Sequence, residues 1–142
     1  MKKTAFLLLL ITILFACKQS KNNEQVAEKL VEKVFVVNII NGEKPLQEYL
    51  HYHEHIWPEV EAGFKKAGYK KIALYRVDHL LVMTVSVPGN ADLNAMGKLA
   101  ESYSPRCAEW NNLMAKYQTG VPGTKPGQTW AEAQPFYTFS NQ

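Results

Sequence analysis

Hydrophobic and polar positions change rhythm several times along the 142-residue chain, and each rhythm predicts an element. An apolar run over residues 5–15, interrupted only by Thr12, follows Lys2 and Lys3 and ends at Ala16 and Cys17. Residues 18–23 hold no apolar side chain and read as a solvated tether. Residues 24–33 predict a short helix presenting Val26, Leu30 and Val31. Residues 34–40 are β-branched and almost continuously apolar, the pattern of a strand central in its sheet. After a turn at Asn41 and Gly42, apolar residues recur at three- and four-residue steps from Pro45 to Ala67, which predicts a long helix. Pro58 removes a backbone donor and disfavours helical geometry at Trp57, so a break is expected there, and Gly68 suits the C-terminal cap. Residues 71–77 and 80–87 form a hairpin pattern around Asp78 and His79. Asp92 can cap a helix through Ser102, and a further helix is expected over residues 105–117. Five Gly and Pro residues make 119–128 a loop, and residues 135–139 alternate as a last strand.

The order strand, helix, strand, strand, helices, strand predicts an α+β protein of the ferredoxin-like split βαβ kind. One sheet face then lies bare. A second copy or the chain's own loops must cover it, so a homodimer is expected.

Residues 1–17 have the layout of a secretory signal peptide, and the apolar run of 11 residues is well short of the roughly 20 that a membrane-crossing helix needs. The stretch Leu14, Phe15, Ala16, Cys17 resembles the lipobox of bacterial lipoproteins, in which the cysteine is lipidated. The resulting division is a leader over 1–16, a lipidated Cys17 and tether over 17–33, and one domain over 34–142. The membrane would then be met through the lipid alone. Lys18 and Gln19 lack an acidic residue, which by analogy with bacterial sorting points to the outer membrane, facing the periplasm. Cys107 would be the remaining thiol, with no disulfide partner, and reads as a small core hydrophobe.

The net charge of +3 owes two of its lysines to that leader, so the domain is near neutral. Without a basic cluster it lacks the electrostatic footprint of nucleic-acid binding.

Three of the four histidines fall in the segment YLHYHEHIWPEVE, residues 49–61. His51 and His55 share a helix face and could bind zinc with Glu54 or Glu59. The zincin order is absent, since Tyr52 follows His51, and metal binding is the minor reading. At about 100° per residue, His53 lies instead on the stripe of Leu46, Tyr49, Ile56, Trp57, Val60 and Phe64 that must face the sheet. An inward histidine is ordinarily a satisfied core residue. Here it sits beside a tyrosine hydroxyl, which places a titratable group in a sheltered pocket.

The pattern Tyr49, His53, Trp57, Pro58, Glu59 resembles the L-rhamnose mutarotase family. So do the ALY strand at 73–75, the late helix with Trp110, Leu113 and Met114, and the closing FYTF. The resemblance implies a ferredoxin-like dimeric α/β barrel that interconverts the α and β anomers of a 6-deoxy-L-hexose without a cofactor. It also implies that His53 transfers the proton and that Tyr49 binds the sugar. Where the rhamnose enzymes carry a Trp pair this chain has Trp110 and Asn111, and where they carry a Tyr on the second strand it has Ile72. The segment from Pro105 through Gln118 to Trp130 is closer to a branch associated with L-fucose.

Mutarotation opens a hemiacetal ring, turns the carbonyl and closes the ring again. A group titrating near neutral pH serves both directions, and an unperturbed histidine does so at about 6.5. His53 is then the general acid/base, Tyr49 orients the sugar, Trp110 offers an apolar face and Asn111 binds a hydroxyl. Core packing with Leu113, Met114 and Tyr117 suits Trp110 equally well. Trp130 reads as a lid or sheet cover, and His79 as a surface residue. Two rival classes remain on the same fold: a non-catalytic sugar-binding lipoprotein, and a haem- or dioxygen-handling protein that would need a cofactor.

Overall fold

The structure is a computed structural model that describes residues 28–141. Cys17, the leader and residues 18–27 of the tether lie outside the described residues.

The central strand β1 (Leu30–Ile39) is followed by helices α1 (Glu43–Glu54) and α2 (Pro58–Ala67), then by the hairpin β2 (Lys71–Val77) and β3 (Leu80–Pro88). Helices α3 (Leu93–Glu101) and α4 (Pro105–Ala115) come next, and the short strands β4 (Gln118–Thr119) and β5 (Ala131–Ala133) close the chain. The sheet is antiparallel in the order β2-β3-β1-β4, with β5 also pairing β1. This is an α+β, ferredoxin-like arrangement.

Strand register sorts the two faces. Val37, Leu81 and Arg76 form one cross-strand row, and Phe35, Met83 and Leu74 form the next, both beneath the helices. The core gathers there, with Val37, Ile39 and Leu81 buried against Leu46, Tyr49, Val60, Trp110 and Met114. On the opposite face the rows are Val36, Val82 and Tyr75, then Asn38, Leu80 and Val77. Tyr75 and Val77 are exposed, so the face left bare is apolar around these rows, with Glu32, Ser86 and Lys71 making a polar row at its other end.

The break at Pro58 is present. Trp57 is extended, Pro58 begins α2 where its missing N–H costs nothing, and Gly68 closes α2 in the left-handed region at φ 93°. Asp92 caps α3 by accepting the N–H groups of Asn94 and Ala95. Asp78, at φ 53°, makes the two-residue turn between Val77 and Leu80. The helices pack closely: a Cβ on Gly63 of α2 would lie 2.7 Å from the carbonyl oxygen of Ala100 in α3. Cys107 is buried nearby, its Sγ–H donating to the Glu59 carbonyl at 3.2 Å.

Two expected elements are corrected. Residues 30–33, expected in a short helix, are the start of β1, with Leu30 opposite Pro88 and Lys33 opposite Val85. An isolated helix of that length is marginal, whereas pairing along the full length of β3 satisfies the backbone and places Val31 beside buried Val87. The last strand is the three-residue β5, ahead of the expected 135–139, where no strand forms. Continuing the pairing of Val34 with Ala133 would bring Pro135 opposite Glu32, and proline has no N–H to donate to the ladder.

Candidate active site

A cavity of about 520 Å³ opens between the sheet and the helices, inside the roughly 300–1,000 Å³ of small-molecule sites. Its floor is the helix-facing half of the hairpin, including Ile72, Leu74, Arg76 and Met83. Helix α1 contributes Tyr49 and His53, α4 contributes Trp110, Asn111 and Met114, and the closing segments contribute Gln118 and Trp130. Tyr49, His53, Trp110 and Asn111 therefore meet at one cavity, with Asn111 exposed at its edge.

Helical spacing explains why His53 is the histidine inside. It lies one turn after Tyr49, on the face that carries buried Leu46, while His51 and His55 are exposed. His51 stands 3.3 Å from the Glu54 carboxylate on the surface. Among the described residues no three His, Cys, Asp or Glu side chains are grouped to hold a metal ion.

The His53 ring is held on two sides. It stacks on Tyr49 at 4.3 Å between centroids and meets the edge of Trp110 at 5.3 Å. Its Nδ1 lies 3.0 Å from the Tyr49 backbone carbonyl. A carbonyl oxygen only accepts, so Nδ1 carries the hydrogen and Nε2 is the basic nitrogen of the neutral ring. Burial pushes the imidazole below its usual pKa, opposed by that hydrogen bond, and the ring is neutral at neutral pH. Burial raises the Tyr49 phenol, with the Gln118 hydrogen bond pulling the other way.

Trp110 belongs both to the core and to the cavity wall. Behind it, Trp57 packs at 5.2 Å and carries the Arg106 guanidinium 3.6 Å above its ring, a cation–π contact. Sequence spacing did not reveal Arg106, because its partner lies in the break between α1 and α2, far along the chain. Nor did it reveal the polar link of Gln118, whose amide donates to the Tyr49 hydroxyl at 3.3 Å and accepts the Trp130 indole N–H at 3.2 Å. Trp130, expected as a lid or cover, is part of the cavity wall. His79, expected on the surface, is half-buried. The Ile39 N–H bonds to the His79 carbonyl and folds the hairpin turn towards Gly42, 3.4 Å from the ring Nε2.

The family model described as L-rhamnose mutarotase matches residues 32–139. The chain belongs to the L-rhamnose mutarotase family. A relative named L-fucose mutarotase, from Xanthomonas campestris pv. campestris, is 29% identical over 109 residues, which cover 75% of this chain and 86% of that one. Among solved structures, an L-rhamnose mutarotase from Formosa agariphila aligns with a TM-score of 0.53 at 18% identity, over 78% of this chain and 99% of its own. A dimeric ferredoxin-like protein from an uncultured marine organism also gives 0.53, at 10% identity, over 81% of this chain and 96% of its own. Both likenesses support the ferredoxin-like fold. Within the family pattern, Tyr49, His53, Trp57, Pro58 and Glu59 occupy the last turns of α1, the break and the first turn of α2, and of these Tyr49 and His53 line the cavity.

Proposed function

We propose that the chain is a cofactor-independent mutarotase for a 6-deoxy-L-hexose, L-rhamnose or L-fucose. The observation that supports it best is a neutral histidine on the cavity wall whose Nδ1 is occupied by the Tyr49 carbonyl. Nε2 is left to exchange a proton with the ligand. In the forward direction Nε2 takes the proton of the anomeric hydroxyl, the C1–O1 bond becomes a carbonyl, and the bond from C1 to the ring oxygen breaks. The imidazolium returns the proton to that ring oxygen. Both oxygens are attached to C1, so one imidazole reaches each. Rotation about C1–C2 and the reverse sequence give the other anomer. Tyr49 orients the sugar, Trp110 lies against its C–H groups, and Asn111 at the edge binds a hydroxyl. The apolar floor of Leu74, Met83 and Ile72 suits a hexose that carries a methyl group in place of a hydroxymethyl.

The assembly we propose is a homodimer joined through the apolar sheet face, in the manner of a dimeric α/β barrel. The chain is carried as a lipoprotein anchored through Cys17 and facing the periplasm. Palmitate labelling lost in Cys17→Ser tests the anchor; labelling that persists in that variant removes it.

The enzyme reading is tested by anomer-exchange NMR on L-fucose and L-rhamnose. Exchange should exceed the buffer rate for one of them and fall roughly 100-fold or more in His53→Ala, the usual scale of a lost general acid/base. Exchange at the buffer rate for both sugars, with binding intact, returns the protein to the non-catalytic sugar binders.

A further inference from the structure

The loop between β4 and β5 carries an unusual share of glycine and proline, yet it is tied at both ends to the same strand. Gln118 pairs with Ile39 and Ala131 pairs with Val36, both on β1. Between them the chain folds on itself, with the Thr124 hydroxyl donating to the Val121 carbonyl at 2.7 Å and the Gln128 N–H donating to the Lys125 carbonyl at 3.1 Å. This closure brings Trp130 back to Gln118, and the two side chains meet at the cavity wall beside Tyr49.

The direction of the hydrogen bonds in this trio follows from chemistry. An indole nitrogen only donates, so the Gln118 carbonyl oxygen must face Trp130 and its NH₂ must face Tyr49. The Tyr49 oxygen therefore accepts from Gln118. Its own hydrogen has to go elsewhere, and the hydroxyl belongs to a residue that lines the cavity.

We propose that Gln118 and Trp130 are positioning residues that fix the Tyr49 hydroxyl as a hydrogen-bond donor to the ligand. A group held in this way favours an oxygen lone pair over an N–H or a C–H at that point of the site. In a pyranose the ring oxygen is the one oxygen without a hydrogen, and each hydroxyl can also accept. The trio thus presents a donor where the sugar must place an oxygen rather than a C–H, before any proton moves. This inference rests on the mutarotase reading for its ligand and on the hydrogen-bond directions alone for its geometry.

The test is a double-mutant cycle read by the exchange rate, joined to a second readout that does not need turnover. Gln118→Leu keeps the bulk and removes both polar ends, and its exchange rate should fall roughly 10-fold, the scale of one oriented hydrogen bond. In a Tyr49→Phe background the same change should cost almost nothing further, because Gln118 acts through that hydroxyl. Gln118→Glu keeps the length and the Trp130 bond, but its carboxylate only accepts and turns the Tyr49 hydrogen away from the ligand. It should lose at least as much as Gln118→Leu while melting within a few degrees of the unchanged protein. Independently of activity, the Tyr49 ring resonance followed by NMR should titrate at higher pH in Gln118→Leu, and in Trp130→Phe as the freed amide turns.

An undiminished Gln118→Leu effect in the Tyr49→Phe background, or an unmoved Tyr49 titration, overturns the proposal. If the unchanged protein accelerates neither sugar, the mutarotase reading fails and the Tyr49 titration alone decides the orientation of the trio.

Discussion

The backbone carbonyl of Tyr49 accepts the Nδ1–H of His53 at 3.0 Å while the two rings stack with centroids 4.3 Å apart. One helical turn thus supplies the stacking platform, the acceptor that selects the tautomer, and a hydroxyl beside the ring. The bonded carbonyl lies within α1, one turn before His53, so its oxygen faces the side chain of the residue above it on the same stripe.

Burial sets the pH behaviour of this pair. Because it depresses the His53 pKa, the basic form persists to lower pH than for a free histidine, and the acid limb of kcat/KM should lie below about 6.5. Linkage has the matching sign. Below about 6.5 the unfolded chain binds the proton before the folded one does, so stability is lost as pH falls from there through the folded pKa. Urea unfolding at several pH values should show that loss and a smaller one in His53→Gln. An acid limb above 6.5 would contradict the burial argument.

Gly63 should tolerate no side chain. An added Cβ meets a backbone carbonyl in α3 at 2.7 Å, which a rotamer change cannot relieve. Gly63→Ala should cost about 1–3 kcal/mol as α2 and α3 move apart, seen as a fall in Tm of several degrees. A Tm equal to that of the unchanged protein would mean that the helix pair is looser than described.

Much of this architecture was legible because it is local. The 100° step put His53 on the stripe of Leu46 and Tyr49, Pro58 marked the break, and Asp78 marked the hairpin. What failed was non-local. Residues 24–33 space Val26, Leu30 and Val31 as a helix would, and only pairing with β3 makes residues 30–33 a strand. The aromatics at 136, 137 and 139 alternate as strand residues do, but Pro135 stops the ladder to β1. Gln118 and Trp130 meet because β4 and β5 share β1, a fact of topology that no spacing encodes. Arg106 of α4 likewise meets Trp57, in the break between α1 and α2, only through the tertiary fold.

Trp110 separates packing from sugar contact. It is 5% exposed and sits between His53 and Trp57, so Trp110→Ala should destabilise by about 3–5 kcal/mol and obscure any effect on activity. Trp110→Phe retains most of the packing and removes part of the wall against the ligand. It should raise KM for the sugar several-fold with a Tm loss of only a few degrees. Equal loss of stability in the two variants would assign Trp110 to the core alone.

The apolar sheet face carries the last prediction. Val36, Val82 and Tyr75 form a row at its middle, with Leu80 and Val77 in the next row. Tyr75 is 55% and Val77 72% exposed in the single chain, and Phe136, Tyr137 and Phe139 of the C-terminal tail are exposed as well. Contiguous apolar surface of this kind is characteristic of interfaces rather than of free monomers. A copy related by a two-fold axis would set the row against itself, which is the self-complementary geometry of a symmetric dimer. The unchanged protein should therefore sediment as a dimer at micromolar concentration. Val82→Glu places two like charges across the axis in a desolvated position and should sediment as a folded monomer, with circular dichroism unchanged. A dimer that survives Val82→Glu would move the interface off this face, and a monomeric unchanged protein would leave the face to the tail or to another partner.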